Sequence, residues 1–265
     1  MLRFSRRPGC AVAALCVLSF TAPAFAQTAA APPAQQKPAA ADLPSAKSLI
    51  DKHIEATGGA AAIKERKSTH AVGTLSAPAQ GLEGTVEIFS ARPNKMLVKQ
   101  SIKGIGDITE GFDGTHAWSM NPMTGPMLVT GAELEQKKRD YDFDVVLNPS
   151  MRYSEMKTLE KTTFDGREVY KVAMTKKEGG EDIDFYDAKT GLKAGSINTR
   201  KGPTGDMTVT STIVEYKKFG PVLVPASIKQ NVTGMELVMT FTNFEFDKVD
   251  PAVFALPAEV KALIK

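Results

Sequence analysis

About a dozen short segments rich in Val, Ile, Thr and Phe fill most of the chain beyond residue 70, near 70–77, 82–91, 95–103, 106–112, 115–120, 155–163, 167–175, 181–187, 192–199, 206–217, 222–232 and 235–246. Breakers separate them: among the later ones stand Asp165-Gly166, Gly179-Gly180, Gly191, the run Gly202-Pro203-Thr204-Gly205, Gly220-Pro221 and Gly234. Segments of this length with turn residues between them pair in chain order, which is the spacing of an antiparallel meander. A sheet of so many strands twists and curls instead of staying flat. With only two substantial helical stretches to cover it, the expected architecture is mainly β (α+β). It is an open, unclosed antiparallel β-barrel of about 11–12 strands, with an N-terminal helix and a mid-chain helix covering the concave face.

Gly111 to Gly131 is the most informative stretch, because it holds a tight-turn signal and the chain's one Trp. Asp113-Gly114 between Phe112 and Ala117-Trp118 reads as a two-residue hairpin turn: Gly reaches positive φ freely and Asp tolerates it. Phe112 and Trp118 are large apolar groups, each gaining ~2–3 kcal/mol from full burial, so Phe112, Asp113, Gly114 and Trp118 are expected as structural anchors. Asn121-Pro122 and Gly125-Pro126 are further breakers, so residues 120–127 read as a loop carrying Met120, Met123 and Met127.

The helices come from period and caps. Pro44-Ser45 opens one whose Leu49, Ile50, His53 and Ile54 share a face, and Gly58-Gly59 closes it. Residues 60–67 add another short turn. Leu134, Lys138, Tyr141 and Val145 follow helical spacing, and Asn148-Pro149 stops it, giving a second helix over 132–147.

Ahead of this stands a leader. Arg3, Arg6 and Arg7 precede the apolar run Cys10 to Phe20, and Ala24-Phe25-Ala26 supplies small residues before Gln27, so residues 1–26 read as a signal peptide cleaved after Ala26. The run is about half of the roughly 20 residues that a membrane helix requires. Leu15 before Cys16 is not the small residue a lipobox needs. Residues 27–43, rich in Ala, Pro and Gln without apolar period, read as a disordered linker, which leaves 44–265 as one domain.

The leader also decides the redox and charge readings. Cys10 and Cys16 are the only cysteines and both lie in it, so the mature chain has no thiol chemistry. It carries three arginines and no acid, so the mature chain balances 30 basic against 30 acidic residues. Net charge therefore offers nothing to nucleic acid. Lys137-Lys138-Arg139, Lys176-Lys177 and Lys217-Lys218 read as solvated faces.

Chemistry-bearing motifs are missing: the chain has no GxSxG, HExxH, CxxC, nucleotide-binding GxGxxG or P-loop. Its histidines, His53, His70 and His116, have no local ligand partners, and His53 reads as a packed or rim residue. Glu181, Asp182, Asp184 and Asp187 alternate along a strand and turn where solvent-facing carboxylates are ordinary. No catalytic residue, metal or cofactor is expected.

The text resembles the LolA/LolB-like superfamily of periplasmic lipoprotein carriers, in particular its outer membrane lipoprotein-sorting branch. The shared segments are GFDGTHAW at 111–118, Gly131-Ala132-Glu133-Leu134, DFYDAKTGL at 184–192, EYKKFGPVLVPASI at 215–228 and DKVDPAVFALP at 247–257. The resemblance implies an unclosed barrel with a helical lid over an apolar cavity that accepts acyl chains. It implies a non-enzymatic, soluble periplasmic carrier of a lipoprotein or lipid, monomeric, with a membrane-bound donor or acceptor protein as a possible partner. The alternative is an accessory module that docks a protein partner.

Period 2 nominates the wall of such a cavity. Met235, Leu237, Met239 and Phe241 share one face of a strand, as do Met207 and Val209, and Met96 and Val98. Ten of the 11 methionines lie beyond Met1, and Met is a flexible, polarizable lining for an adaptable apolar surface.

Overall fold

The computed structural model describes residues 43–202 and 205–264. The expected leader and most of the expected linker lie outside the described residues.

α1 (Ala46–Ala56) begins where Ser45 Oγ accepts the Ser48 N–H at 3.2 Å, satisfying one of the free amides of the first turn. It buries Ala46, Leu49 and Ile50 against Val172, Met174 and Tyr186 of the sheet. It stops at Gly58, whose φ of 121° suits only glycine; a Cβ there would also lie 2.9 Å from Pro221 O. α2 (Gly59–Glu65) follows. Arg92 donates to the carbonyls of Ile63, Lys64 and Arg66 at its C-terminal end and pairs with Asp144 beyond the mid-chain helix.

Among the described residues, thirteen strands form one antiparallel sheet. In chain order they are β1 (Ser68–Ala77), β2 (Leu82–Ala91), β3 (Lys95–Ile102), β4 (Gly106–Phe112), β5 (Ala117–Asn121), β6 (Gly125–Val129), β7 (Tyr153–Phe164), β8 (Arg167–Lys176), β9 (Glu181–Asp187), β10 (Lys193–Gly202), β11 (Gly205–Phe219), β12 (Val222–Val232) and β13 (Met235–Phe246). The spatial order runs β6 to β1, then β13 down to β7. First and last strands therefore pair in the middle, while β6 and β7, consecutive in the chain, are the two free edges. The segment that joins those edges holds α3 (Gly131–Asp140), which lies over the concave face. The sheet does not close.

Three local expectations need correction. Residues 120–127 are not a loop: Asn121 Oδ1 accepts the Met123 N–H at 2.9 Å, the Thr124 N–H reaches Asn121 O, and β6 pairs with β5 from Asn121↔Gly125 onward. Pro126 is tolerated because β6 is an edge strand, where a missing N–H costs no ladder bond. The mid-chain helix ends at Asp140 and not at 147, because Asp142 Oδ1 takes the Asp144 N–H at 2.8 Å and Pro93 O takes the Phe143 N–H at 2.9 Å. Asp113-Gly114 belongs to a four-residue connection, since Phe112 pairs with Ala117. The Asp113 carboxylate accepts the N–H groups of Thr115 and His116, both at 2.7 Å. Burial opposes its ionisation, yet those amides and the His116 ring hold the carboxyl below its usual range.

Phe112 and Trp118 are both buried, on opposite faces. Phe112 pairs with Met96 and Ala117 toward the concave side, where its ring lies 6.0 Å from that of Tyr141. Trp118 packs with Phe89, Leu97, Phe254 and Val260 on the convex side. The chain end supplies that cover through a 3-10 turn, Pro251–Phe254, and α4 (Ala258–Lys261).

Candidate functional site

The concave face divides into an apolar and a polar half. On the apolar half, Ala71, Leu75, Val86 and Phe241 form a buried cluster that Ile88, Val98, Leu237 and Met239 extend. These positions share a face because cross-strand pairs carry it across the sheet: Met96↔Phe112, Ile88↔Val98, Leu75↔Met239 and Ile228↔Met239. β1 pairs Val72 with Asn243 but Gly73 with Phe241, and this bulge slips the register by one residue. Phe244 consequently joins Phe241 in the cluster, with ring centroids 5.5 Å apart.

A cavity of about 620 Å³ lies between this floor and α3. Its floor carries Ile88, Met96, Val98, Met207 and Met239, interspersed with the polar Gln100, Glu110, Ser119, Arg200 and Gln230, and its roof carries Glu133, Gln136, Lys137 and Tyr141. Of the nominated wall residues, Met96, Val98, Met207 and Met239 line the cavity; Leu237 and Phe241 pack in the adjoining cluster. Val209 is buried on the same strand face as Met207, and Met235 is half-buried at the end of β13 beside Val232. The roof is polar: α3 buries no residue. It is held by ions instead. Lys137 Nζ lies 3.3 Å from Glu110 on β4; Arg139 pairs with Glu178 at 3.2 Å, and Asp140 with Arg152 at 2.8 Å. Burial alone would lower the Lys137 pKa, but Tyr141 and Glu110 raise it, so it stays charged.

The polar half, on β8 to β10, was not read from the sequence. Asp182 is 0% exposed and accepts from Lys176 (3.1 Å), Arg152 (3.1 Å) and Tyr153 (3.0 Å). Asp184, also buried, pairs with Lys193 Nζ at 2.6 Å and accepts from Tyr186 Oη at 3.2 Å. The expectation of solvent-facing carboxylates is therefore wrong for Asp182 and Asp184, though not for the exposed Glu181, and that of Lys176 on a solvated face is wrong as well. Alternation places Asp182, Asp184 and Tyr186 together but cannot say which face turns inward. Both do, since Phe164, Ile183 and Phe185 cluster on the other side.

A second cavity, about 300 Å³, opens on this half, bordered by His53 from α1, Tyr153, Lys193, Ser196, Asn198 and Arg200. The Lys193 N–H donates to His53 Nδ1 at 3.2 Å. Burial, reinforced by the Lys193 charge, lowers the His53 pKa to about 4, so the ring is neutral and carries its proton on Nε2. Among the described residues no group of three or more His, Cys, Asp or Glu side chains is placed to hold a metal. No helix among them is long and apolar enough to cross a membrane.

No protein-family model and no curated protein matches the chain. Solved structures do. A LolA superfamily protein from Nitrosomonas europaea superposes with a TM-score of 0.53 at 13% identity, over 81% of this chain and 99% of that one. A DUF1329 family protein from Desulfovibrio piger superposes with a TM-score of 0.52 at 12% identity, over 79% and 97%. A putative outer membrane lipoprotein-sorting protein domain from Vibrio parahaemolyticus gives 0.46 at 12%, over 77% and 97%. At such identities the likeness is one of fold, and the fold of this chain is that of the LolA superfamily protein: a curled, unclosed antiparallel sheet with helices on its concave side.

Proposed function

We propose that this protein is a soluble periplasmic carrier that shelters the acyl chains of a lipoprotein or lipid, without catalysis, on their way toward the outer membrane. In this reading residues 1–26 are the cleaved leader, 27–43 a linker and 44–265 the carrier domain. The observation that carries it is the cavity of about 620 Å³ floored by Met96, Val98, Met207 and Met239 and roofed by a helix that buries none of its own residues. A close-packed core leaves no such space. Flexible thioethers suit chains of varying shape.

A fluorescent fatty-acid probe tests it. The purified mature protein should bind the probe saturably, and Met239→Glu should keep a cooperative β-type fold while weakening binding at least 10-fold, because a cavity wall can hydrate a charge. A protein that binds no acyl probe and yields no lipid on extraction from its native compartment would overturn the reading. Capture of a protein partner by such a lipid-free protein would favour the accessory-module alternative, with β7, a free edge of 12 residues, as the docking strand. Export is checked by intact mass: a periplasmic form that retains Arg3, Arg6 and Arg7 contradicts the leader.

A further inference from the structure

The second cavity has an unequal hydrogen-bonding inventory. Its carboxylates are already occupied: Asp184 by Lys193 and Tyr186, and the neighbouring Asp182 by Lys176, Arg152 and Tyr153. The Asn198 oxygen is taken as well, by Ser196 Oγ at 2.9 Å. What is left over is donors. With Nδ1 accepting from Lys193, the neutral His53 ring presents Nε2–H, which has no partner among the described residues. Asn198 keeps its NH₂. Arg200 has no carboxylate within salt-bridge distance among the described residues, although its side chain borders this cavity, the apolar one and a third beside Arg139 and Lys176.

Spare donors with spent acceptors select a ligand group rich in acceptors, and a guanidinium without a carboxylate partner among the described residues adds a preference for negative charge. Arg200 and Met207 are cross-strand partners, so the cation stands directly beside the apolar floor. A single amphiphile can therefore reach both. We infer that the cavity bordered by His53, Asn198 and Arg200 receives the anionic phosphate or carboxylate head group of an amphiphile whose chains lie against Met96, Val98, Met207 and Met239. The inference rests on the carrier reading and names its ligand class. Tight ion pairing inside the cavity keeps Asp182 and Asp184 from repelling such a head group.

Competition between two lipids of equal chain length tests it, one a lysophosphatidic acid and the other the matching neutral monoacylglycerol, each displacing a fluorescent acyl probe from the mature protein. The anionic lipid should bind at least 10-fold more tightly than the neutral one, and Arg200→Gln and His53→Phe should each bring the ratio of the two affinities close to one. The ratio is the readout, so a general loss of affinity does not mimic the result, and Arg200 is exposed enough that its replacement leaves the fold intact. Equal affinities in the unmodified protein, or a ratio that survives Arg200→Gln, would overturn the head-group site while leaving the carrier reading standing. Binding of neither lipid would remove both. Inorganic phosphate alone, titrated calorimetrically, should bind at least 100-fold more weakly than the anionic lipid; comparable affinity would mark a free-anion site and overturn the amphiphile assignment.

Discussion

Gly111 and Trp118 form one contact. They are cross-strand partners, the indole lies over the glycine, and a Cβ at 111 would come within 2.1 Å of Trp118 Cζ2. Gly111→Ala should therefore destabilise by ~1–3 kcal/mol through overpacking, and Trp118→Ala by ~3–5 kcal/mol through the void it leaves. The double variant should cost less than the sum, because an alanine at 111 fits once the indole is gone. Urea unfolding of the three variants measures this; additive costs would mean that the two residues act independently. His53 makes a pH-dependent contribution. Its folded pKa of about 4 lies below its ordinary 6.5, so the unfolded chain binds more protons between those values. The contribution is complete above 6.5 and fades as pH falls toward 4, by at most ~3 kcal/mol. His53→Gln should flatten the dependence of the urea midpoint on pH across that window.

At the scale of elements, α3 is held by charge more than by packing. Its link to β7–β9 runs through Arg152 to Asp182, and removing that guanidinium leaves a fully buried carboxylate short of one partner. Arg152→Ala should cost about 3–5 kcal/mol. Its link to β4 ends on Glu110, about half exposed, and Glu110→Gln should cost less than about 1 kcal/mol. Because no residue of α3 is fully buried, its amides should exchange with deuterium well before those of β1 and β13, which pair at the middle of the sheet. Hydrogen exchange with mass spectrometric readout distinguishes the two; equal protection would mean that the roof opens only with global unfolding.

Over the whole molecule, an unclosed sheet leaves space that packing does not use. Met207→Trp should fill part of the cavity, hold or raise the melting temperature and lower affinity for an acyl probe at least 10-fold, since added apolar contacts favour the empty fold while displacing the ligand. A lower melting temperature with binding unchanged would place the ligand elsewhere. Phe241 gives the opposite case. It is 4% exposed within the cluster of Ala71, Leu75 and Val86, so Phe241→Asp should abolish cooperative melting where Met239→Glu does not.

Much of this architecture was legible in the residues. Period-2 segments and their Gly, Pro and Asp breakers determined the strands, because alternation and turn chemistry are local properties. The same reasoning joined Met207 with Val209 and Met96 with Val98 on common faces. It misjudged Pro126, since whether a proline breaks a strand depends on that strand being an edge, and edge position is set by partners far away in the chain. It placed Asp182, Asp184 and Lys176 in solvent for a related reason: alternation separates two faces without saying that α1 and α3 cover one of them. Only the tertiary structure could decide that, because burial depends on what packs against a strand, and the groups that pair with Asp182 come from residues 152, 153 and 176, brought together by the register of β7, β8 and β9 under the helices.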